Sequence, residues 1–485
     1  MFKLYSECGV LMGSLLKKFC LNLLVTCLII SASPFFLIEK GEAKENREAY
    51  NKLVIFKDSK IPSEIELHEE SDIKMTRIPE IGALKIESNH KSNLDQFILK
   101  LKRYHNAEIA TIGEDVKVSI PSEFTQFVPK YKDKMSHIPT NTVSEPKENS
   151  LHHSWGWDIK KVTAGGASYQ IETGNHQVKI AILDSGIDFD HPDLKNNIIS
   201  QGRSFVPGVE TAKDDMGHGT MVAGMIAANG KLLGVGPNLG LVPYKVMSQG
   251  DGESSWVVQA IIQATKDDVD VINLSLGTYK SLIKQEDQAV LELYKRAARF
   301  ASNKGVILVA SSGNDALDLS NPSEVANKFG KEGDQLVHAP GGDIPHVITV
   351  SSTSIHNLLS KESNYGQQIL FTAPGGEFDF SSGDTKALCL TTYPTYLQQS
   401  PINEYFNLPA GYVFTAGTSL SAPKVSGAIG VLIAHQKKTK KSPLTTDNMI
   451  KILQNSAEDL GEKGKDLFYG FGLVNLHQAL KVLDK

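Results

Sequence analysis

The amino-acid sequence predicts a doubly wound α/β domain with a mostly parallel sheet, preceded by a small α+β unit, and three observations predict it. Short apolar runs alternate with helical patterns beyond residue 178. A stretch scattered with proline and polar residues, 121–150, divides that region from a smaller one with its own strand and helix signals. A chain of 485 residues exceeds what one ordinary core organises, so more than one unit is expected.

In chain order, Lys17 and Lys18 precede an apolar run, 19–30, followed by Ser31-Ala32-Ser33-Pro34 and Gly41-Glu42-Ala43. Residues 1–43 therefore read as an export signal, with Met12 a candidate start and a secreted, extracellular product. The alternative is an uncleaved anchor, against which Asn22, Thr26, Ser31 and Pro34 interrupt the run. No other stretch is long and apolar enough to span a bilayer. Cys8, Cys20 and Cys27 fall in this leader, which leaves Cys389 alone in the body of the chain. No intrachain disulfide is then expected, and Cys389 reads as an inert thiol because no placed base adjoins it.

Residues 44–120 read as the small unit. Leu53-Val54-Ile55-Phe56 is a buried-strand run, and Val116, Val118 and Ile120 alternate as in a half-buried strand. Between them Ser92 or Asn93 can cap a helix whose apolar face is Leu94, Phe97, Ile98, Leu101 and Tyr104. Pro121, Pro129, Pro139 and Pro146 mark 121–150 as an exposed linker. In the main domain, 151–485, parallel strands are expected at 178–183, 269–275, 306–310 and 347–350, with helices at 255–266 and 286–304. The formal charge of -5 leaves no basic excess to grip phosphate backbones, so nucleic acid is not an expected partner.

Three local strings carry chemistry. The strand ending at Leu183 runs into Asp184-Ser185-Gly186, a carboxylate at the strand edge where α/β domains gather functional groups. Gly217-His218-Gly219-Thr220 opens a helix with small residues at Ala223, Gly224, Ala227 and Ala228. Gly417-Thr418-Ser419 opens another, which places a serine where free backbone N–H groups favour negative charge. Singly these read as a turn residue, an exposed histidine and a loop. Together they supply a nucleophile, a base for its proton and a carboxylate to hold that base.

The order Asp, His, Ser is that of the subtilisin-like serine proteases. The chain resembles that family over roughly 155–480, including Trp155-Gly156-Trp157 and the closing Tyr469-Gly470-Phe471-Gly472-Leu473-Val474-Asn475. The resemblance implies a Ser-His-Asp acyl-enzyme endopeptidase. It assigns Asp184 as orienting carboxylate, His218 as general base then acid, Ser419 as nucleophile and Asn314 as an oxyanion donor. It implies that Gly250, Gly252, Ser275, Leu276 and Gly277 clamp an extended peptide. It also implies that 44–120 is a pro-domain that caps the active site until it is cut away in 121–150.

Asp214, Asp215, Asp251, Glu253 and Asp315 cluster on these segments, and by resemblance Asp315 borders the primary specificity pocket. A carboxylate there favours Lys or Arg before the scissile bond; otherwise these acids are solvated surface charges. No arginine occurs between Arg103 and Arg203, so self-cutting in the linker would use Lys130, Lys132, Lys134 or Lys147, or a non-basic residue. Calcium stays an open alternative, with the balance against a tight site: by resemblance Asp193 matches a family calcium ligand, but the loop 229–233 looks shortened where other ligands belong. No cofactor is needed for catalysis.

The layout, with Trp155-Gly156-Trp157-Asp158-Ile159-Lys160 and the acidic pocket, resembles the lantibiotic leader peptidases. That implies a monomer acting on a lantibiotic precursor. A general extracellular protease and a catalytically dead binding protein are the rival readings, and a permanent accessory domain is the rival for 44–120. No sorting motif or hydrophobic tail precedes Lys485, so no wall attachment is expected.

Overall fold

The computed structural model describes residues 49–63, 65, 72–119, 150–378 and 385–485. The expected leader and nearly all of the linker, with its candidate processing lysines, lie outside the described residues.

The N-terminal unit is a four-stranded antiparallel sheet, Tyr50–Phe56 (β1), Ile73–Ile78 (β2), Ala83–Ser88 (β3) and Ile109–Gly113 (β4), in the order β2-β3-β1-β4. One helix, Lys91–His105 (α1), covers it. The unbroken run Leu53 to Phe56 is apolar because both faces of β1 are covered, and successive side chains point to opposite faces. Val54 and Phe56 meet Leu94, Phe97, Ile98 and Leu101 of α1. Leu53 and Ile55 instead join a core that continues into the main domain.

Three expectations change here. The helix begins after His90, and no side chain caps it; Asn93 Nδ2 donates instead to Asp72. Tyr104 is 66% exposed and so leaves the apolar face. The strand expected over 116–120 is only Lys117–Val118, and its partner is a strand of the main domain.

The main domain is built on seven strands: Lys179–Asp184 (β5), Arg203–Ser204 (β6), Gly240–Lys245 (β7), Val271–Leu274 (β8), Ile307–Ser311 (β9), Val347–Thr353 (β10) and Phe371–Pro374 (β11). Their order is β11-β10-β9-β8-β5-β7-β6, and every pair is parallel. Parallel strands need crossovers, and the helices supplying them cover both faces. His218–Ala227 (α2) and Thr418–Lys438 (α5) share one core with Ile180, Ile182 and Val309. Ser254–Lys266 (α3) and Gln285–Asn303 (α4) share the other with Ala181, Leu183 and Leu308. The chain is thus doubly wound, as expected.

α5 is buried on every side from Thr418 to Gln436. It runs through the middle of the domain, which is why its sequence is small and apolar all round rather than striped. Among the described residues no helix is long and apolar enough to cross a membrane.

Candidate active site

β5 ends at Asp184, whose side chain is fully buried. Its Oδ1 accepts from the Ser185 backbone N–H at 2.7 Å and lies 2.8 Å from His218 Nδ1, with Oδ2 at 2.9 Å. Both carboxylate oxygens therefore face one ring nitrogen, and that nitrogen carries the proton. His218 is the first residue of α2 and only 3% exposed. Its flanking glycines have steric causes. A side chain at Gly217 would meet Tyr393 at 2.3 Å on a backbone with φ of 96°, and one at Gly219 would meet the Gly186 carbonyl at 2.0 Å.

Behind this pair lies Asp214, grouped in the sequence reading with the substrate-facing acids. It is 1% exposed and turned inward. Its Oδ1 accepts from Ser185 Oγ (2.8 Å), Met216 N (3.0 Å) and Gly217 N (2.8 Å). Its Oδ2 accepts from Thr220 N (2.9 Å) and Thr220 Oγ1 (2.6 Å). Burial pushes its carboxyl up, while the bonds from Thr220, Gly217 and Ser185 oppose that shift. Asp214 thus fastens the turn before His218 to the turn after Asp184. The spacing D-x-x-G-H, a carboxylate just ahead of the helix start, was the available signal.

Ser419 sits in the first turn of α5, among the N–H groups that no intrahelical acceptor satisfies. Pro423, four residues on, has no N–H to give the Ser419 carbonyl. That carbonyl accepts instead from Ser275 Oγ at 2.9 Å, and the Ser419 hydroxyl lies 3.4 Å from the Ser275 carbonyl. Ser275 in turn accepts from Asn273 Nδ2 (3.0 Å), whose Oδ1 accepts from Ser426 Oγ (2.8 Å). The missing helix bond is thereby replaced by a buried chain that ties α5 to the end of β8.

Asn314 follows β9. Its Oδ1 accepts from Thr418 N at 2.9 Å and Thr418 Oγ1 at 2.7 Å. A backbone N–H can only donate, so these bonds fix the amide orientation and leave Nδ2, the donor end, for the cleft.

The segments expected to clamp a peptide take part in their own strand pairings. Asp251–Glu253 pairs antiparallel with Met247–Ser248 on one side. On its other side it pairs with the N-terminal unit's own Lys117–Val118, Gly252 opposite Val118 and Glu253 opposite Lys117. Ser119 then bridges to Gly277. Residues 117–119 thus lie between the two expected clamp segments as an extended peptide would. Gly250 precedes the first segment with φ of 95°.

A cavity of about 240 Å³ adjoins Ser419, lined by Ser275, Leu276, Gly277, Asn314 and Asp315 together with Ser119, Tyr279 and His338. The last three were not anticipated. Asp315 is exposed, and its Oδ2 accepts from Tyr279 Oη at 2.6 Å. Asp215, by contrast, pairs with Lys245 at 2.6 Å away from this cavity.

Asp193 is 4% exposed, and its two oxygens accept from the Lys231 N–H (3.0 Å) and the Leu232 N–H (2.8 Å) of the short loop. Among the described residues no group of three or more His, Cys, Asp or Glu side chains is placed to hold a metal ion. The opening tryptophans pack inward: Trp155 meets Phe414 edge-on at 4.9 Å, and Trp157 Nε1 donates to the Leu388 carbonyl. Next to them Asp158 forms a fully buried ion pair with Lys424 at 2.8 Å, five residues beyond Ser419. Burial pushes the Cys389 thiol up, away from the reactive thiolate.

Residues 175–472 match the subtilase family. The epidermin leader peptide-processing serine protease EpiP of Staphylococcus epidermidis is 30% identical over 437 residues, 85% of this chain and 89% of that protein. The nisin leader peptide-processing serine protease NisP of Lactococcus lactis subsp. lactis is 31% identical over 64% of this chain, though the match spans only 48% of that protein. Among solved structures, EpiP from Staphylococcus aureus superposes with a TM-score of 0.71 at 28% identity, covering 90% of this chain and 99% of that one. A lanthipeptide protease does so with a TM-score of 0.63 at 34% identity, covering 70% and 99%.

Proposed function

The chain belongs to the subtilase family of serine endopeptidases, and we propose that it removes the leader from a lantibiotic precursor peptide by cutting after a basic residue. The observation that carries this reading is Asp315, a carboxylate lining the cavity beside Asn314 and Ser419. An acid there complements Arg or Lys in the residue before the scissile bond. The likeness to two leader-processing proteases along most of the chain supports the choice of substrate.

In the proposed reaction the Ser419 hydroxyl attacks the scissile carbonyl while His218 takes its proton. Asn314 Nδ2 and the Ser419 N–H hold the tetrahedral oxygen. His218 then hands the proton to the departing amine, and water releases the acyl group by the same steps in reverse. Asp184 keeps the proton on His218 Nδ1, so that Nε2 is the nitrogen that accepts.

No calcium step enters. Calcium needs six or more oxygen ligands, and both Asp193 oxygens already accept backbone N–H groups, whose positive ends repel a cation. The test is cleavage of a precursor peptide followed by mass spectrometry, with and without a chelator. One cut after the basic residue that ends the leader is expected in both. Degradation at many unrelated bonds would instead favour a general protease.

We further read residues 44–120 as a pro-domain that inhibits the enzyme by leaving 117–119 in the cleft. Support comes from a buried cluster at its junction with the clamp. Lys85, 2% exposed, pairs with Glu253, with Glu87 at 3.2 Å and with Asp115 at 3.4 Å, and its ammonium lies 5.7 Å from the Trp256 ring centre. Asp115 Oδ1 also accepts from the Ser255 N–H at 3.1 Å, in the first turn of α3.

Burial, and then the charge of Asp115, push the Glu253 carboxyl up from 4.5 to about 7, against the pull of Lys85. Once the unit leaves, that carboxyl returns to its ordinary value. The bound state therefore holds an extra proton, so docking is tightest at acid pH and weakens as pH rises through the window between 4.5 and about 7. The fraction of processed enzyme still holding its N-terminal unit, measured by gel filtration across that window, should fall in wild type and stay level in Glu253→Gln. Equal slopes in both would remove the proposed proton link.

A further inference from the structure

Resting on the reading of a basic side chain in this cavity, we propose that His338 is a specificity-determining residue, its Nε2 accepting a hydrogen bond from that side chain and favouring a guanidinium over an ammonium. His338 lies on the strand Leu336–Ala339, which pairs antiparallel with Thr278–Ser281 and sets His338 directly opposite Tyr279. The two rings stand 5.1 Å apart. His338 is 4% exposed, and its Nδ1 lies 3.0 Å from the Gly341 carbonyl. A carbonyl only accepts, so Nδ1 carries the proton and Nε2 presents a lone pair.

That lone pair points at the cavity. A side chain built at Gly277 would meet Nε2 at 2.1 Å, and one at Gly313 would meet it at 3.4 Å. Both glycines line the cavity, as His338 does, and the ring's bond to Gly341 is made by Nδ1, not Nε2. Burial pushes the imidazolium down, which keeps the ring neutral and accepting.

Asp315 alone makes a less selective site. One of its oxygens is taken by Tyr279 Oη, and that hydroxyl also accepts from Asn364 Nδ2 at 2.7 Å. Asp315 is exposed at the mouth, whereas His338 is buried. The cavity therefore offers acceptors at two depths. A guanidinium carries five N–H donors spread over a rigid plane and can serve both; an ammonium is a point charge. Any cation is drawn by Asp315, but only the broad one also engages His338.

The experiment compares kcat/KM for three peptides identical except for Arg, Lys or Leu before the scissile bond, in wild type, His338→Leu, His338→Gln and Asp315→Asn. In His338→Leu the Arg peptide is expected to lose about 10–100-fold, the worth of one hydrogen bond to a charged group. The Lys peptide should lose far less and the Leu peptide nothing. His338→Gln, whose amide oxygen can accept, should recover part of the loss. An Arg-to-Lys ratio unchanged within about twofold in His338→Leu overturns the proposal, as does an equal loss on all three peptides. If His338→Leu does not fold, His338→Ala removes the acceptor without adding bulk and is judged by the same ratio. Failure of the underlying reading looks different: wild type would cut the Leu peptide as fast as the Arg peptide, and Asp315→Asn would change nothing.

Discussion

Replacing Ser419 with alanine is expected to lower turnover by a factor of about 10⁶, the loss known for subtilisin when its nucleophile is removed. The same change should leave the fold in place. The hydroxyl makes one long contact, 3.4 Å to the Ser275 carbonyl, whereas the bonds that seat α5 run through the Ser419 carbonyl and through Thr418. Losing so weak a hydrogen bond costs at most about 1 kcal/mol. Removing the Asn314 amide, by contrast, spares the nucleophile and deletes one of two donors, so that loss should be smaller, about 10²–10³ as in subtilisin. The check is steady-state turnover of a basic-residue peptide together with a thermal melt. Turnover within tenfold of wild type by the folded alanine variant ends the assignment of Ser419. The variant should also accumulate as an uncut precursor, because the chain's own serine is then missing from the first cut.

Much of this site was legible in the sequence because its chemistry is carried by contiguous strings. Strand-then-D-S-G, G-H-G-T and G-T-S each announce a local backbone shape, and β5, α2 and α5, which carry them, pack into one core. Strands were legible where both faces are apolar, as in Leu53 to Phe56. They were missed where a structural polar residue breaks the run. Lys85 sits inside β3 with its charge spent on three carboxylates. β7 contains Pro243, which argues against a strand, and ends in the buried Lys245. Tertiary partners overrode both signals.

His338 escaped for a related reason. It stands in Leu336-Val337-His338-Ala339, a run with no motif, and gains a role only because that strand pairs with Tyr279 beneath the cavity. Asp214 was legible but misread, since an acid next to a histidine assigned as the base looks substrate-facing until its five donors are counted. The acids grouped together in the sequence thus divide into three tasks here. Asp214 builds the turn, Asp215 neutralises Lys245, and Glu253 meets the N-terminal unit.

Asp184→Asn is the second large effect, and its cause is the direction of a single proton. The carboxylate is fully buried and offers only lone pairs to His218 Nδ1. An asparagine fills the same space but can turn its NH₂ to that nitrogen, particularly because its oxygen is wanted by the Ser185 N–H, 2.7 Å away in the parent. The imidazole then accepts at Nδ1 and carries its proton on Nε2, where it cannot take one from Ser419. A loss of about 10⁴ in kcat follows, roughly 5.5 kcal/mol of barrier. KM should move little, since Asp184 does not line the cavity. Because carboxylate and imidazole act only through the hydroxyl, the two losses should not add: Asp184→Asn/Ser419→Ala should be about as slow as Ser419→Ala alone. A double variant slower by the product of both factors would mean that Asp184 serves some step independent of Ser419, and the three residues would no longer be one machine.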